Sequence, residues 1–267
     1  MPPEENKKTL IHALRTAGLS LLDHFGRKQN ISIKEADGSI VTEADIRSEK
    51  IILEILKSHP EHFNIISEEC GLLETGAEYT WVIDPLDGTS NFAAGLPWFG
   101  VIMALMKGKK PVQAGMYLPL SDQLYYAEEG RGAWRDDQAI RVSHAGRLKE
   151  TLLAYSFDHS RDPGKTTAEM GLLGRIAAHV RNIRSTNSLV DFCYVADGRF
   201  GGVINQTTKI WDIAGPSLII REAGGSVCDI LKQELDFEVS ADSYPRNYSI
   251  VASAPSVHQE LLSLIGH

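Results

Sequence analysis

The stretch Trp81-Val82-Ile83-Asp84-Pro85-Leu86-Asp87-Gly88-Thr89-Ser90-Asn91-Phe92 fixes the reading of this chain, together with the acidic pair Glu68-Glu69 upstream of it. Trp81 to Ile83 is an apolar run that reads as a strand. It is expected to end at Asp84, where Pro85 removes a backbone donor and bends the chain away from the sheet. Asp84 and Asp87 then leave one strand end together. Hard divalent cations such as Mg2+ take oxygen ligands, so these two aspartates and a glutamate from another strand end could collect one or two of them. Gly88-Thr89-Ser90 follows as a group of small residues opening a helix, whose free N–H groups and dipole favour a phosphate.

Outward from this stretch, the N-terminal side carries Leu10, Leu14, Ala17, Leu21 and Leu22 at helical spacing, which predicts an amphipathic helix over 4–25. Residues 31–34 and 39–41 are expected to pair across Ala36-Asp37-Gly38, before a second helix over 42–58. A strand over 63–67 delivers Glu68. On the C-terminal side, 101–106, 112–118 and 123–128 read as an antiparallel meander with turns at Gly108-Lys109-Lys110-Pro111 and Pro119-Leu120-Ser121-Asp122. From Thr151 the pattern changes. Strands over 152–157, 183–185, 200–204 and 226–228 alternate with helices over 167–179, 189–197 and 212–223. The fold class is mixed α/β with at least two sheets. No repeat or long linker interrupts it, so 1–267 reads as one domain with lobes of about 1–145 and 146–267.

Asp84-Pro85-Leu86-Asp87-Gly88-Thr89 resembles the signature Asp-Pro-(Ile/Leu)-Asp-Gly-Thr of the inositol monophosphatase superfamily of Mg2+-dependent phosphatases. Trp211-Asp212-Ile213-Ala214-Gly215 matches that family's Trp-Asp-x-Ala-(Ala/Gly), and Glu68-Glu69 its Glu-Glu pair. The three matches occur in family order. The resemblance implies a layered αβαβα sandwich shared with fructose-1,6-bisphosphatases, with the site between the lobes. It also implies an activity: Mg2+-dependent hydrolysis of a small phosphorylated metabolite by in-line attack of water, without a covalent intermediate. On this resemblance Glu68, Asp84 and the backbone carbonyl of Leu86 hold one Mg2+, while Asp84, Asp87 and Asp212 hold a second. A third, weaker ion near Glu68 and inhibition by lithium are family traits expected here, as is a homodimer.

The same resemblance assigns a Thr-x-x-Asp, here Thr42-Glu43-Ala44-Asp45, to water activation: Asp45 and Thr89 become the pair that orients the attacking water. Read without it, Thr42 and Asp45 are a helix capping arrangement, and Asp212 is an N-cap or dipole partner at a helix start. Gly88, Thr89 and Ser90 are expected to grip phosphate oxygens. Lys34 is placed on a loop near the phosphate. On the substrate side the chain departs from the family, with Thr186-Asn187-Ser188-Leu189 where the pattern is Gly-(Ser/Thr)-Ala-Ala. Asn205 stands where a glutamate binds an inositol hydroxyl. Asn187, Asn205 and Asp212 remain the substrate-wall candidates. Arg181 and Arg184 offer charge for a second phosphate, as in fructose 1,6-bisphosphate or 3'-phosphoadenosine 5'-phosphate. A catalytically weak binding protein on the same fold would have lost a ligand or Thr89, and no such loss is visible.

Composition narrows the remaining classes. At 267 residues, 43% hydrophobic and 23% charged, the chain can bury a large core and is not disordered. A net charge of -8 opposes a general nucleic-acid surface. Cys70, Cys193 and Cys228 are odd in number and lack metal-binding spacing, which suits a reducing cytoplasm. The N-terminus lacks the order of a secretory signal, and no apolar run reaches membrane-spanning length. None of the nine histidines falls in a motif. Ser156, Asp158 and His159 lie close together, but nothing supplies a nucleophile elbow, and a serine hydrolase is discounted.

Overall fold

Strands with apolar residues at successive positions, as in Trp81–Ile83 and Val101–Met106, build the centre of the molecule, because both faces of its sheets are covered. The computed structural model of the chain describes residues 3–27, 31–33, 40–157, 160, 162–240, 244 and 246–266. Helix α1 (Pro3–His24) is followed by a two-stranded ribbon of β1 (Ile31–Ile33) and β2 (Ile40–Thr42), and then by α2 (Glu43–Lys57). The turn expected at 36–38 lies outside the described residues.

The first sheet contains β3 (Asn64–Ser67), β4 (Gly71–Leu73), β5 (Tyr79–Asp87), β6 (Gly100–Lys107), β7 (Lys110–Leu118), β8 (Gln123–Glu128), β9 (Gly132–Arg135) and β10 (Gln138–Ala139), with the one-turn helix α3 (Thr89–Ala93) after β5. Its order is β10-β9-β8-β7-β6-β5-β3-β4. The expected meander of β6, β7 and β8 therefore continues through β9 and β10, which are too short to carry an apolar pattern of their own. Only the β3–β5 pair among these neighbours is parallel. The C-terminal ends of those two strands consequently lie side by side, and they carry Glu68 and Asp84 to Asp87.

The second sheet takes β11 (Leu152–Ser156), β12 (Asn182–Arg184), β13 (Gly202–Thr208), β14 (Ser226–Cys228) and β15 (Tyr248–Ser253) in the order β12-β11-β13-β15-β14. Its helices are α4 (Pro163–Ala177), α5 (Leu189–Ala196), α6 (Ile210–Glu222) and α7 (Pro255–Ile265). β15 and α7 had no expectation from the sequence. Helix α4 starts earlier than periodicity indicated, because Asp162 caps it by accepting from Gly164 N at 2.8 Å and Pro163 opens it. Phe200, expected in a strand, instead packs edge-on against Tyr194 in the loop before β13.

Alternate residues along the central strands separate into two cores. Trp81 and Ile83 of β5 and Val101, Met103 and Leu105 of β6 pack with Leu10, Leu14 and Leu21 of α1 and Ile52 and Leu56 of α2. Val82, Ile102, Ala104 and Met106 face the other way, into a core shared with α5, α6 and the second sheet. Helix α6 is buried on nearly every side because a sheet covers each of its faces. The small residues Ala214 and Gly215 permit this: a Cβ on Gly215 would stand 3.0 Å from Ile102 Cγ2. With α1 and α2 on one outside and α4 and α7 on the other, the layers run αβαβα. Glu222, at the end of α6, locks it to the first sheet by accepting from Gly130 N at 2.8 Å and Gly132 N at 2.7 Å.

Candidate active site

In a regular strand, residues three apart point to opposite faces. Asp84 and Asp87 escape that rule because β5 does not end at Asp84, as the sequence led us to expect. It runs on to Asp87 through an irregularity in its pairing with β6, where Asp84 lies opposite Ile102 and Asp87 opposite Gly100. Three residues of β5 thus advance against two of β6, which is a bulge. Pro85 is tolerated there because a bulged residue does not need to donate to the ladder. Its carbonyl is taken by Ser48 Oγ at 2.6 Å. The extra residue restores the parity of the strand and turns both aspartates the same way.

Asp84, Asp87 and Asp212 offer one oxygen each within 4.8 Å of one another. Asp84 and Asp87 are buried, and Asp212 is half-buried. Each is anchored. Asp84 Oδ1 accepts from Leu86 N at 3.0 Å, and Asp87 Oδ1 from Leu189 N at 2.5 Å. Asp212 Oδ2 accepts from Thr208 Oγ1 at 2.6 Å and from Lys209 N at 2.8 Å. Asp212 is therefore the third residue of α6 rather than its N-cap. It reaches back to the helix start, so the dipole role expected of it coexists with its place in the cluster. Glu68 follows β3, its N–H donating to Ile83 O at 3.2 Å.

Burial pushes the Asp84 carboxyl well above the usual carboxylate range, and the charges of Glu68, Asp87 and Asp212 push it further. Burial and the Asp212 charge do the same to Asp87, against the lowering effect of the Leu189 N–H. A carboxyl raised in the folded state binds its proton more tightly there than in the unfolded chain. Its contribution to stability is then complete below the unfolded pKa of about 4 and is lost as pH rises through the folded value. In metal-free buffer the protein is expected to lose thermal stability as pH is raised from about 4 towards neutrality. Differential scanning calorimetry with and without Mg2+ checks this, and added Mg2+ is expected to flatten the decline.

Thr89 opens α3 behind Gly88, whose φ of 81° is left-handed. A Cβ on Gly88 would also meet Trp98 O at 2.5 Å, so glycine is required there for both space and conformation. The first bond of α3 runs from Phe92 N to Gly88 O, and the N–H groups of Thr89 and Ser90 precede it. Thr89 Oγ1 lies 3.0 Å from Asp45 Oδ1 and 3.0 Å from Leu86 O. Asp45, fully buried, divides its two oxygens: Oδ2 caps α2 by accepting from Thr42 N at 2.8 Å and Thr42 Oγ1 at 2.6 Å, while Oδ1 faces Thr89. The capping role and the Thr89 contact belong to the same side chain.

The substrate-wall candidates gather at the C-terminal ends of β11, β12 and β13. Asn205 pairs with Ser156, whose Oγ donates to Asp191 Oδ2 at 3.2 Å. Asn205 Oδ1 accepts from Thr207 N at 2.9 Å. Because a backbone N–H can only donate, that bond assigns Oδ1 as the acceptor and Nδ2 as the donor end of the amide. Asn187 is exposed, with a left-handed φ of 51°. Arg184 shares this end of the sheet. Arg181 lies at the other end of that pair of strands, where its N–H donates to Thr151 O at 3.0 Å. Lys34, Asp158 and His159 lie outside the described residues.

Some contributors gave little sign in the sequence. Glu49, one helical turn after Asp45, is buried and holds the chain around Glu68 by accepting from Ser67 Oγ at 2.5 Å and Cys70 N at 2.9 Å. Its spacing was the available signal, since Glu49 shares the buried face of α2 with Asp45, Ser48, Ile52 and Leu56. Asp191, also fully buried, accepts from Thr186 N at 3.2 Å and so holds the loop that carries Asn187.

Among the described residues, no helix is long and apolar enough to cross a membrane. The sequence matches the profile of the inositol monophosphatase family over residues 3–265. It is 37% identical over 261 residues to a protein of Pasteurella multocida named Nus factor SuhB, covering 96% of this chain and 93% of the other. It is 35% identical over 228 residues to the fructose-1,6-bisphosphatase/inositol-1-monophosphatase of Aquifex aeolicus, covering 83% and 86%. The crystal structure of the extragenic suppressor protein suhB from Bartonella henselae superposes with a TM-score of 0.89 at 30% identity, over 98% of each chain. The profile match over 3–265, the identity to these relatives and the shared layered architecture agree over almost the whole length, and the chain belongs to the inositol monophosphatase family.

Proposed function

We propose that this chain is a Mg2+-dependent phosphomonoesterase acting on a small phosphorylated polyol or sugar. The observation that carries this reading is the meeting of Asp84, Asp87 and Asp212 within 4.8 Å, next to the hydrogen bond from Thr89 to Asp45. The donor set fits a hard divalent cation: it is all oxygen, Asp84 and Asp87 are buried, and the neighbouring charges raise the pKa of both, a situation that positive charge relieves. Glu68, Asp84, Asp87, Asp212 and the Leu86 carbonyl would hold the metal. When bound, such an ion supplies charge neutralisation at phosphoryl oxygens and lowers the pKa of a coordinated water.

The rest of the chemistry falls to the chain. A bond to a carboxylate is stronger than one to a neutral carbonyl, so Thr89 Oγ1 directs its hydrogen to Asp45 Oδ1 rather than to Leu86 O. Its lone pairs are then turned outward to accept from the attacking water, and Asp45 Oδ1 can receive the proton that Thr89 passes on. The N–H groups of Gly88, Thr89 and Ser90 hold the non-reacting phosphate oxygens, which aligns phosphorus for in-line attack. Asn205, whose Oδ1 is engaged by Thr207 N and whose Nδ2 can only donate, favours a substrate that offers an acceptor oxygen at that point, where the family's glutamate would accept from a hydroxyl.

That donor also supports a second reading, a bisphosphorylated substrate, in line with the two activities in the name of the Aquifex aeolicus relative. The name Nus factor, borne by the Pasteurella multocida relative, supports a third, a regulatory protein on the same fold. One experiment separates the three. Phosphate release is measured with Mg2+ or chelator from inositol 1-phosphate, fructose 1,6-bisphosphate, histidinol phosphate, NADP and 3'-phosphoadenosine 5'-phosphate, for the wild type and Asn205→Glu. Mg2+-dependent turnover is expected, with Asn205→Glu shifting preference towards inositol 1-phosphate. Release from none of the five would select the regulatory reading.

A further inference from the structure

The chain between β14 and β15 belongs to the second lobe, yet Tyr244 within it reaches the metal-ligand candidates of both lobes. The connection is anchored by Leu235 and Phe237, both buried, with the Phe237 ring 5.8 Å from that of Tyr248. From this connection Tyr244 makes two contacts. Its hydroxyl donates to the backbone carbonyl of Glu68 at 2.5 Å. Its ring lies 5.1 Å from that of Trp211, the residue directly before Asp212. Glu68 enters the site from the end of β3 and Asp212 from the first turn of α6, and one side chain touches the backbone of the first and the immediate neighbour of the second.

We infer that Tyr244 is a positioning residue for the metal site, setting the separation of Glu68 and Asp212 before a divalent cation arrives. This rests on the function proposed above. Glu68 follows a four-residue strand and is only half-buried, so its carboxylate direction depends on what holds its peptide. The Glu49 bonds to Ser67 and Cys70 hold that turn from the α2 side, and Tyr244 holds it from the opposite lobe. Outer groups of this kind orient ligands without touching the ion, and their loss typically lowers metal affinity or activity.

The test is Tyr244→Phe, which keeps the ring against Trp211 and deletes only the hydroxyl. Metal affinity is read directly by isothermal titration with Mg2+ and by Mn2+ electron paramagnetic resonance, independently of turnover. We expect about five- to tenfold weaker metal binding, a matching rise in the Mg2+ concentration for half-maximal phosphate release, and kcat at saturating Mg2+ within about twofold of wild type. Tyr244→Ala, which also removes the ring, is expected to weaken binding further, with circular dichroism confirming that each variant is folded. Wild-type metal affinity in folded Tyr244→Phe overturns the inference while leaving the proposed function standing. A wild-type protein that binds neither ion overturns both.

Discussion

Asp87→Asn is expected to lower kcat about a thousandfold or more at saturating Mg2+ while leaving the protein folded. Asparagine keeps the volume of the side chain, and its oxygen can still accept the Leu189 N–H that ties α5 to the signature loop. What disappears is one negative charge from a buried cluster in which Asp212 and Glu68 already oppose it. Without metal that charge is unfavourable, because burial and like-charge repulsion both disfavour the ionised form. The metal-free variant is therefore expected to melt no lower than the wild type at neutral pH. Its gain in melting temperature on adding Mg2+ should be smaller, since less binding energy is coupled to folding. Turnover at the wild-type rate in Asp87→Asn would remove this residue from the site.

Thr89→Ala is expected to cost about two to four orders of magnitude in kcat, the range typical of a lost proton-transfer group, with Mg2+ affinity nearly unchanged. Thr89→Ser, which keeps the hydroxyl 3.0 Å from Asp45 Oδ1, is expected to retain most of the activity. The contrast separates the hydroxyl from the methyl group. It also protects against a trivial outcome, because Thr89 sits in the first turn of a helix of only five residues, where a change of packing could by itself disturb the loop. Equal turnover by the alanine variant and wild type would show that water activation does not pass through Thr89.

The central layers were legible because their strands are apolar on both faces and their helices keep a 3.6-residue period. Residues 101–106, 112–118 and 123–128 correspond closely to β6, β7 and β8. The same logic misses what carries no periodic pattern: β9, β10 and β15 are short or follow an irregular connection. It also fails at Pro85, because the usual consequence of proline, ending a strand, is overridden where a bulge removes the need for its N–H.

Sequence alone determined which residue types could serve. Asp84, Asp87 and Asp212, Glu68, and the Thr89–Asp45 pair are chemical identities, and oxygen ligands beside small residues at a helix start imply the same chemistry wherever the chain places them. The tertiary structure decided how they meet. Asp84 and Asp87 share a face only because β5 is bulged against β6, and Asp212 joins them only because α6 is clamped between two sheets. The divided use of the Asp45 oxygens, the direction of the Asn205 amide and the reach of Tyr244 to Glu68 arise from hydrogen bonds to partners that local pattern does not name. Periodicity and propensity act over a few residues, whereas the positions of these groups follow from packing between segments as far as 176 residues apart.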